Sequence, residues 1–507
     1  MKKINYIIVI FASLILTSCG DDFLDQRPTS FISNEDLGET ALINPEIVEG
    51  NLRGIYNQMV TAGIGGTGNQ EDFGHKSFDL MSDLLSSDLA QVGARYNRFV
   101  SLANYIWTAD QTINLPNYTA WRFYYRIINS ANLIIAANGG NDIIPESDAV
   151  KGVVGQAKTI RAFAYFYLSQ YYAIEYNASA EILPLYILPG EAGKPKSTMS
   201  DIYDQIIADL NSAISFMNGY NRPNKASINQ NVAKGILAYV YASMGQSDKN
   251  KLAQQLADEV INSGEFTMMD AAEVTGGFTS LSTPGWMWGF DITIANDLGL
   301  VSWHGFMDYY SYSYQAVGNF RGIDDGLYAR IHDNDIRKQQ HGSSSGEGAA
   351  AVVTPGAAPL IPVGKFYNLN KVPFGQLPIT DDYVYMRVTE MYLLSAEMAA
   401  VEGNDAAAKT RLKEVLAKRF ADPADYAYVD ALSGQALIDE IVFQTKIEFV
   451  AEGKSYLLMK RRKLTNTRGT NHLNRAGESI SYDDPAVTFS IHQRELTDNP
   501  NITSGNK

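Results

Sequence analysis

The sequence predicts an all-α, mostly helical protein, and three observations carry this prediction. The stretch from Gly155 to Tyr172 has apolar residues at helical spacing on almost every side, which is typical of a helix buried in a core. Thr198 lies three residues before Asp201, the spacing of a capping box at a helix N-terminus. Two further segments read as helix–turn–helix units, because an alanine precedes a turn glycine by seven residues in each.

Length and charge narrow the class of protein. At 507 residues the chain exceeds the usual size of a single core, so we expect two packed lobes or one elongated helical array. The formal net charge is −15. Nucleic acids and anionic lipid surfaces attract basic patches, so this charge argues against both as partners.

The first residues predict an export signal. Lys2 and Lys3 precede an apolar run that is too short to span a bilayer, and the sequence Leu-Thr-Ser-Cys follows at residues 16–19. This box resembles a bacterial lipobox, which implies that residues 1–18 are a lipoprotein signal peptide and that Cys19 carries a lipid. Cys19 is the only cysteine, so no disulfide can form within the chain. Residues 19–44 include Pro28 and several polar residues, and they predict a tether.

Apolar periodicity then predicts helices that alternate with loops. In the two helix–turn–helix units, Ala238 and Ala396 let paired helices approach closely, while Gly245 and Gly403 turn the chain. By themselves such units are typical of a tetratricopeptide adaptor, and this alternative stays open. The predicted helices are Glu49–Ala62, Tyr118–Asn138, Asp148–Ile174, Met199–Met217, Gln230–Met244, Lys249–Asn262, Tyr385–Val401, Ala406–Phe420 and Gln435–Arg462.

The segment from Thr275 to Phe320 is different in kind, being rich in glycine and aromatic residues. Trp286, Trp288 and Phe290 alternate at period two, which predicts a short strand with one buried face. The stretch SWHGFMDYYSYSY has no such period and ends in a tyrosine-rich loop, which suits a stacking platform for sugar rings. Core packing and ligand contact stay equally open for this stretch.

We predict ligand-binding residues in two loop-like segments that combine rings with polar groups. The stacking candidates in the tyrosine-rich segment are Trp303, Tyr309, Tyr310 and Tyr312. The loop from Ser86 to Asn117 adds planar hydrogen-bonding groups and one more ring. Its candidates are Asp88, Arg95, Tyr96 and Asn97.

No motif indicates catalysis, a cofactor or a metal ion. The six histidines show no metal-ligand spacing, and the sequence has no phosphate loop, dinucleotide fingerprint or Gly-x-Ser-x-Gly elbow. We therefore expect a binding protein and no enzyme. A helical glycosidase stays open as an alternative, because the separation of two carboxylates is a three-dimensional property.

Five landmarks resemble the SusD/RagB family of outer-membrane nutrient-binding lipoproteins, and they occur in that family's order. They are the lipoprotein start CGDDFLDQRPTS, the segment WRFYYRIINSAN, the helix RAFAYFYL with IYDQIIADLNSAI after it, the helix KIEFVAEGKSYLLMKRRK and the tail RELTDNPN. The resemblance implies about four tetratricopeptide-like helix pairs packed against an irregular, loop-rich lobe with short strands. It also implies a helical region over residues 45–270 and a C-terminal SusD/RagB region over residues 271–507 that contains the aromatic loop insertion.

The same resemblance implies a function. A SusD-like protein is displayed on the outer membrane through its lipid, binds an oligosaccharide and delivers it to a SusC-like TonB-dependent transporter. In such proteins the binding face receives residues from the region of the Ser86–Asn117 loop. Peptide capture, as in the RagB branch, stays open because tyrosines and tryptophans serve both kinds of ligand.

Two expectations concern the second half of the chain. The run from Asp333 to Arg337 lacks the central glycine and distal glutamate of a calcium loop. The resemblance instead suggests a structural carboxylate–guanidinium network for the Asp335-x-Arg337 pair. The segment from Gly342 to Gly364 is rich in serine, glycine, alanine and proline, and it predicts a mobile surface loop.

Overall fold

The computed structural model describes residues 45–109 and 115–506, and the predicted signal peptide, Cys19 and tether lie outside this part of the chain. Helices dominate the described part and its strands are short, so the predicted mostly helical class is confirmed. None of its helices is both long and apolar enough to cross a membrane.

The elements of the described part are numbered here in chain order. The helices are α1 (Pro45–Gln58), α2 (His75–Ser86), α3 (Val100–Ala103), α4 (Ile106–Ala109), α5 (Leu115–Ala137), α6 (Asp148–Tyr172), α7 (Met199–Phe216), α8 (Gln230–Met244), α9 (Ser247–Asn262), α10 (Ala271–Val274), α11 (Trp303–Met307), α12 (Asp325–Ala329), α13 (Val388–Val401), α14 (Asp405–Leu416), α15 (Gly434–Glu448), α16 (Lys454–Arg461) and α17 (Gln493–Asp498). The strands are β1 (Leu89–Gln91), β2 (Glu181–Leu183), β3 (Ser197–Thr198), β4 (Trp286–Phe290), β5 (Arg321–Ile323), β6 (Gly342–Ser345), β7 (Val352–Pro355), β8 (Tyr383–Arg387), β9 (Thr465–Thr467) and β10 (Ser479–Ser481). They pair in antiparallel fashion, β1 with β5, β2 with β3, β4 with β8, β6 with β7 and β9 with β10.

The core is organised around α6, which is buried from Gly152 to Tyr172 and packs against both α5 and α7. Its apolar residues occupy almost every side, so burial on most sides removes the largest area from water. Its most deeply buried charged group, Arg161, is paired. Arg161 donates hydrogen bonds to both carboxylate oxygens of Asp209 at 2.7 and 2.8 Å. The predicted central helix is confirmed.

The other long helices continue from this core as one array. Helix α7 packs against α8, α8 against α9, α9 against α13, and α13 against α14. The contact between α9 and α13 joins helices that are distant in sequence. The loop-rich segment between them, residues 263–387, is therefore an insertion into a continuous stack of helices.

The predicted start of α7 and the predicted ends of α8 and α13 are confirmed. The Thr198 side chain accepts a hydrogen bond from the Asp201 amide, and the Asp201 carboxylate accepts one from the Thr198 amide, each at 3.2 Å. Gly245 and Gly403 have φ angles of 67° and 78° after α8 and α13. Glycine adopts this left-handed conformation at no steric cost, which explains why the chain turns there.

Most predicted helices differ from the observed ones by up to four residues at an end, and two of them need a further correction. The helix predicted from Tyr385 begins at Val388, because the residues before it form β8 and pair with β4. The helix predicted over Gln435–Arg462 is two helices, α15 and α16. Ala451 and Gly453 lie between them at positive φ, and this turn ends the helical hydrogen bonding.

The predictions for two loops and one strand also need correction. The Gly342–Gly364 segment contains the β6–β7 hairpin, whose backbone groups pair with each other, and its last residues from Leu360 are buried. The Ser86–Asn117 segment contains β1 and the one-turn helices α3 and α4. Strand β4 is present as predicted, but all five of its residues are buried, since the protein covers both of its faces.

Helix α2 was not predicted, although all of it is buried. Its sequence HKSFDLMSDLLS looks like a polar surface segment. In the structure several of its polar groups are paired inside the protein, and the Lys76 ammonium lies 3.0 Å from an Asp79 carboxylate oxygen. Such pairing offsets part of the cost of burying polar groups, and the apolar periodicity of the sequence does not reveal the pairing.

A buried group of charges joins the helical array to the inserted segment. The Glu448 carboxylate, in α15, lies 2.9 Å from a guanidinium nitrogen of Arg387 and 2.7 Å from one of Arg419. Arg387 ends β8, and Arg419 follows α14. All three side chains are buried. Each charge thus depends on a partner from another part of the chain.

Arg337 and Glu452 extend this group. Arg337 lies 2.6 Å from Asp335 and 3.2 Å from Glu448, so the predicted carboxylate–guanidinium network is confirmed. Glu452 lies 2.8 Å from Arg387 and 2.7 Å from the ammonium of Lys365. We call the whole set the charge cluster, with members Asp335, Arg337, Lys365, Arg387, Arg419, Glu448 and Glu452.

The charge cluster shifts the protonation of its acids. Burial by itself raises the pKa of Glu452, but the charges of Arg387 and Lys365 outweigh burial and lower that pKa to about 2. The pKa of Glu448 is likewise held well below its ordinary value, because Arg419 and Arg387 outweigh its burial. Both carboxylates are therefore ionised at neutral pH.

We expect Glu452→Gln to destabilise the protein by about 3–5 kcal/mol at pH 7, because it leaves the buried charge of Lys365 without its carboxylate. Urea unfolding followed by circular dichroism measures this difference in the free energy of unfolding. The matched control is Glu414→Gln, which removes a half-exposed carboxylate paired with Arg411 at 3.0 Å. We expect the control to change stability by less than about 1 kcal/mol.

The cost of Glu452→Gln should also depend on pH. Because folding lowers the pKa of Glu452, its stabilising contribution is complete above the unfolded pKa near 4.5 and is lost as the pH falls toward about 2. The difference between the wild type and the variant should therefore shrink between pH 5 and pH 3. A difference that stayed constant over this range would contradict an ionised Glu452 in the folded protein.

Candidate ligand-binding face

An exposed patch of large side chains lies where two loops of the inserted segment run side by side. The Tyr312 amide donates a hydrogen bond to the Gln376 carbonyl at 3.1 Å, and the Gly375 amide donates one to the Tyr310 carbonyl at 3.1 Å. Exposed large apolar side chains that are grouped in this way mark binding surfaces. On these loops Tyr312, Phe374 and Leu377 are 41%, 44% and 61% exposed.

The segment from Arg95 to Asn97 borders the tyrosine-rich loop. The Tyr96 ring, 58% exposed, meets the Tyr314 ring edge to face with centroids 5.7 Å apart. The Arg95 guanidinium donates to the Val317 carbonyl at 3.3 Å. We call the exposed and half-buried side chains of these loops the binding face, with members Tyr96, Tyr309, Tyr312, Phe374 and Leu377.

Polar groups accompany the rings of the binding face. Arg95 and Asn97 are exposed next to Tyr96. Arg95 carries a planar guanidinium group and Asn97 a planar amide group, and both groups form hydrogen bonds in their plane. An apolar ring flanked by such groups can stack on one face of a sugar and bond the hydroxyls at its rim. The geometry thus provides the two kinds of contact that a carbohydrate needs.

A buried polar group holds the two loops together at their base. The Asp308 carboxylate accepts hydrogen bonds from the Tyr310 amide at 2.8 Å and from the Asn368 amide at 3.0 Å. Burial raises the pKa of Asp308 to about 7. Within residues 45–109 and 115–506, Asp308 is placed together with His304 and Asp381 so that the three side chains could share a metal ion.

A separate concavity lies on the helical side. It has a volume of about 510 Å³ and is lined in part by Trp121, Tyr125, Tyr186 and Glu495. Its rings are already used by the protein, since the Tyr125 hydroxyl donates to the Pro184 carbonyl at 2.9 Å and Trp121 is buried. The binding face, with its exposed rings, is the better candidate for stacking.

Comparison with protein families identifies the chain. A family model described as starch-binding and associating with the outer membrane matches residues 22–242, and a model of the SusD family matches residues 307–504. This chain belongs to the SusD/RagB family. Together the two matches include most of the helical array and most of the inserted segment that carries the binding face.

Solved structures show the same SusD-like fold. A SusD-like carbohydrate binding protein from Bacteroides vulgatus superposes with a TM-score of 0.74 at 22% identity, covering 90% of this chain and 96% of that one. A SusD superfamily protein from Bacteroides thetaiotaomicron superposes with a TM-score of 0.73 at 20% identity, covering 91% of this chain and 99% of that one. Surface glycan-binding protein A from Bacteroides uniformis superposes with a TM-score of 0.64 at 17% identity, covering 91% of this chain and 99% of that one.

A curated relative matches over a shorter range. It is SusD-like protein P25 from Formosa agariphila, which is 26% identical over 172 residues. The match spans 33% of this chain and 30% of that relative's length.

The structure of this SusD/RagB chain corrects the prediction for Trp303. Only 2% of Trp303 is exposed, and its ring meets the Phe366 ring edge to face with centroids 4.6 Å apart. The Lys76 ammonium lies 5.0 Å from the centroid of the same ring. Trp303 is the first residue of α11, and its side chain points into the interior of the protein. It is therefore a core residue and cannot serve as an exposed stacking ring.

Tyr310 and Asp88 are also buried, so they cannot offer exposed surface as the prediction requires. The Tyr310 hydroxyl forms a hydrogen bond with Ser344, in the β6–β7 hairpin. The Asp88 carboxylate lies 2.9 Å from the ammonium of Lys446, in α15. Both side chains are occupied in joining separate segments, which sequence alone does not show.

The structure brings the remaining predicted residues to one region. Tyr309, Tyr312, Arg95, Tyr96 and Asn97 lie on the bordering loops and stay predicted ligand contacts. Sequence reasoning missed Phe374 and Leu377. Their segment, VPFGQLP, has the proline, glycine and aromatic content of an exposed loop, so the criterion used for the tyrosine-rich stretch would have selected it.

We expect Trp303→Ala to lower the free energy of unfolding by about 3–5 kcal/mol, because it removes a large buried ring. Thermal and urea melts of the purified protein measure this loss. Tyr312→Ala is the comparison, since truncation of an exposed side chain should change stability by about 0.5 kcal/mol or less. Equal melting temperatures for Trp303→Ala and the wild type would mean that the Trp303 ring is not in the core.

Proposed function

We propose that this protein is a cell-surface lipoprotein that binds an oligosaccharide and delivers it to a SusC-like TonB-dependent transporter in the outer membrane. The observation that carries the proposal is the binding face, where exposed rings and planar polar groups come together on loops fixed by the core. Family membership supports the ligand class, because one matching family model is described as starch-binding.

The physical basis is the surface of a sugar. A pyranose ring presents C–H groups on its faces and hydroxyls around its rim, so it needs a stacking ring and hydrogen-bonding groups together. Tyr312 and Phe374 supply rings on adjacent loops, and Arg95 and Asn97 supply polar groups beside Tyr96. Because several rings are spread over three segments, the face suits a chain of sugars better than a single one.

Family membership supports the proposed anchoring and the proposed partner. The matching family model is described as associating with the outer membrane, and two structural relatives are named as carbohydrate- or glycan-binding proteins. In our proposal the lipid on Cys19 holds the protein at the membrane, and residues 19–44 let it reach the transporter. The protein binds its ligand without turnover, and neither a cofactor nor a nucleic acid takes part.

We expect Tyr312→Ala to weaken binding to a recognised glycan by about 1–3 kcal/mol, taking the scale of aromatic stacking on nucleic acid bases. A screen of the purified protein against polysaccharides and peptide mixtures, followed by isothermal titration with the best ligand, measures this. The matched control is Tyr428→Ala, since Tyr428 is also 41% exposed but lies near Glu440, away from the binding face.

Two outcomes of the screen would contradict the proposal, and one outcome of the titration would change the membership of the binding face. Binding of peptides with no glycan recognised would make the protein a peptide receptor. Steady release of reducing sugar from a bound glycan would indicate a glycosidase. Equal affinities of the wild type and Tyr312→Ala, when Tyr428→Ala also binds normally, would remove Tyr312 from the binding face.

The transporter partner gives a separate prediction. Affinity purification from detergent-solubilised outer membranes should recover a large β-barrel transporter together with this protein. Cys19→Ser is a useful comparison, because loss of the lipid should reduce co-purification by reducing the local concentration at the membrane. Recovery of soluble proteins and no transporter would favour a tetratricopeptide adaptor.

A further inference from the structure

A buried histidine and two buried aspartates meet at the base of the binding face. His304 lies in α11, Asp308 follows that helix, and Asp381 precedes β8. All three are buried, and one potential ligand atom from each lies within 4.8 Å of the others. Metal–ligand bonds of about 2.0–2.6 Å fit a cation between atoms at this separation after small side-chain rotations.

The two carboxylates have no cationic side chain to balance them. In the described part of the chain, no lysine or arginine nitrogen lies within 4.0 Å of Asp308 or Asp381. The buried acids of the charge cluster, by contrast, each have at least one such partner. When both carboxylates are ionised in this dry site they repel each other strongly, and a bound cation removes that repulsion.

One nitrogen of the His304 imidazole has no hydrogen-bond partner among the described residues. Its Nε2 atom lies 3.0 Å from the backbone oxygen of Asp381, so the neutral ring donates its proton there. Its Nδ1 atom is then unprotonated, and it has no hydrogen-bond partner among the described residues although the side chain is 1% exposed. Metal-binding histidines are commonly oriented in this way, with one ring N–H held by a carbonyl and the other nitrogen left for the metal.

Neighbouring polar groups hold the carboxylates in place. The backbone amide of Asn368 donates to Asp308 at 3.0 Å, and its side-chain amide donates to Asp381 at 3.0 Å. The Ser311 hydroxyl also donates to Asp308. Asn368 thus bridges both carboxylates. Contacts of this kind orient the side chains that bind a metal ion.

We propose that His304, Asp308 and Asp381 bind a divalent transition-metal cation, with Zn²⁺ or Mn²⁺ preferred over Ca²⁺. One imidazole nitrogen with carboxylate oxygens suits these ions, whereas calcium prefers oxygen ligands alone. The site joins the tyrosine-rich loop, which follows Asp308, to the loop that carries Phe374 and Leu377. The inference does not rest on the nature of the ligand at the binding face.

The test is isothermal titration of the whole purified protein, stripped with EDTA and dialysed, with ZnCl₂, MnCl₂ and CaCl₂ in turn. We expect one equivalent of Zn²⁺ or Mn²⁺ to bind, and binding at least tenfold weaker in both Asp308→Asn and Asp381→Asn. The matched control is Asp291→Asn, which removes an exposed carboxylate of the same segment and should leave cation binding unchanged.

Folding of each variant is checked by circular dichroism in EDTA, and His304→Gln replaces either aspartate variant that does not fold. The inference is overturned if no cation binds in a saturable way, if the aspartate variants bind as the wild type does, or if Ca²⁺ alone binds. These readouts use no carbohydrate. Failure of glycan binding and failure of this metal site are therefore distinguishable.

Discussion

The fold depends on a buried set of charges whose partners come from separate parts of the chain. Glu448 and Glu452 lie at the turn between α15 and α16, and they accept hydrogen bonds from Arg337, Arg387 and Arg419. Two of these arginines come from the inserted segment, and Arg419 comes from the end of α14. Removing one charge would leave the others buried and unbalanced, so the cluster fixes how the insertion sits on the helices. Hydrophobic contacts supply most of the driving force for folding, but they do not fix this arrangement so narrowly.

The same principle positions the binding face. Its rings lie on loops, and loops supply little rigidity of their own. Here the Asp308 carboxylate accepts hydrogen bonds from backbone amides of both loops. The β4–β8 pairing anchors the chain beside them. Buried polar groups thus hold exposed rings in place. A carbohydrate receptor gains from this, because a face that is already ordered loses less conformational entropy when the ligand binds.

Aromatic residues have two roles in this protein, and residue type does not distinguish them. Trp303 and Tyr310 lie in the interior, while Tyr309 and Tyr312, a few residues away, reach the surface. The stretch has no regular period, so its sequence contains no signal for which side each ring faces. The structure places Trp303 and Tyr310 in the core and leaves Tyr309 and Tyr312 accessible, so core packing is decided for the first two and ligand contact stays a prediction for the other two.

The sequence by itself determined the helical class, the buried α6, the capped start of α7, the glycine turns and the family, because these depend on local periodicity or on motifs in order. The carboxylate–guanidinium pairing of Asp335 and Arg337 was also accessible, through the resemblance. Only the tertiary structure decided that α2 is buried, that Asp88 pairs with Lys446, and that His304, Asp308 and Asp381 meet. These features join residues that are far apart in the chain. Whether a polar group is exposed or paired depends on which residues the fold places beside it. A pattern along the chain does not show these neighbours.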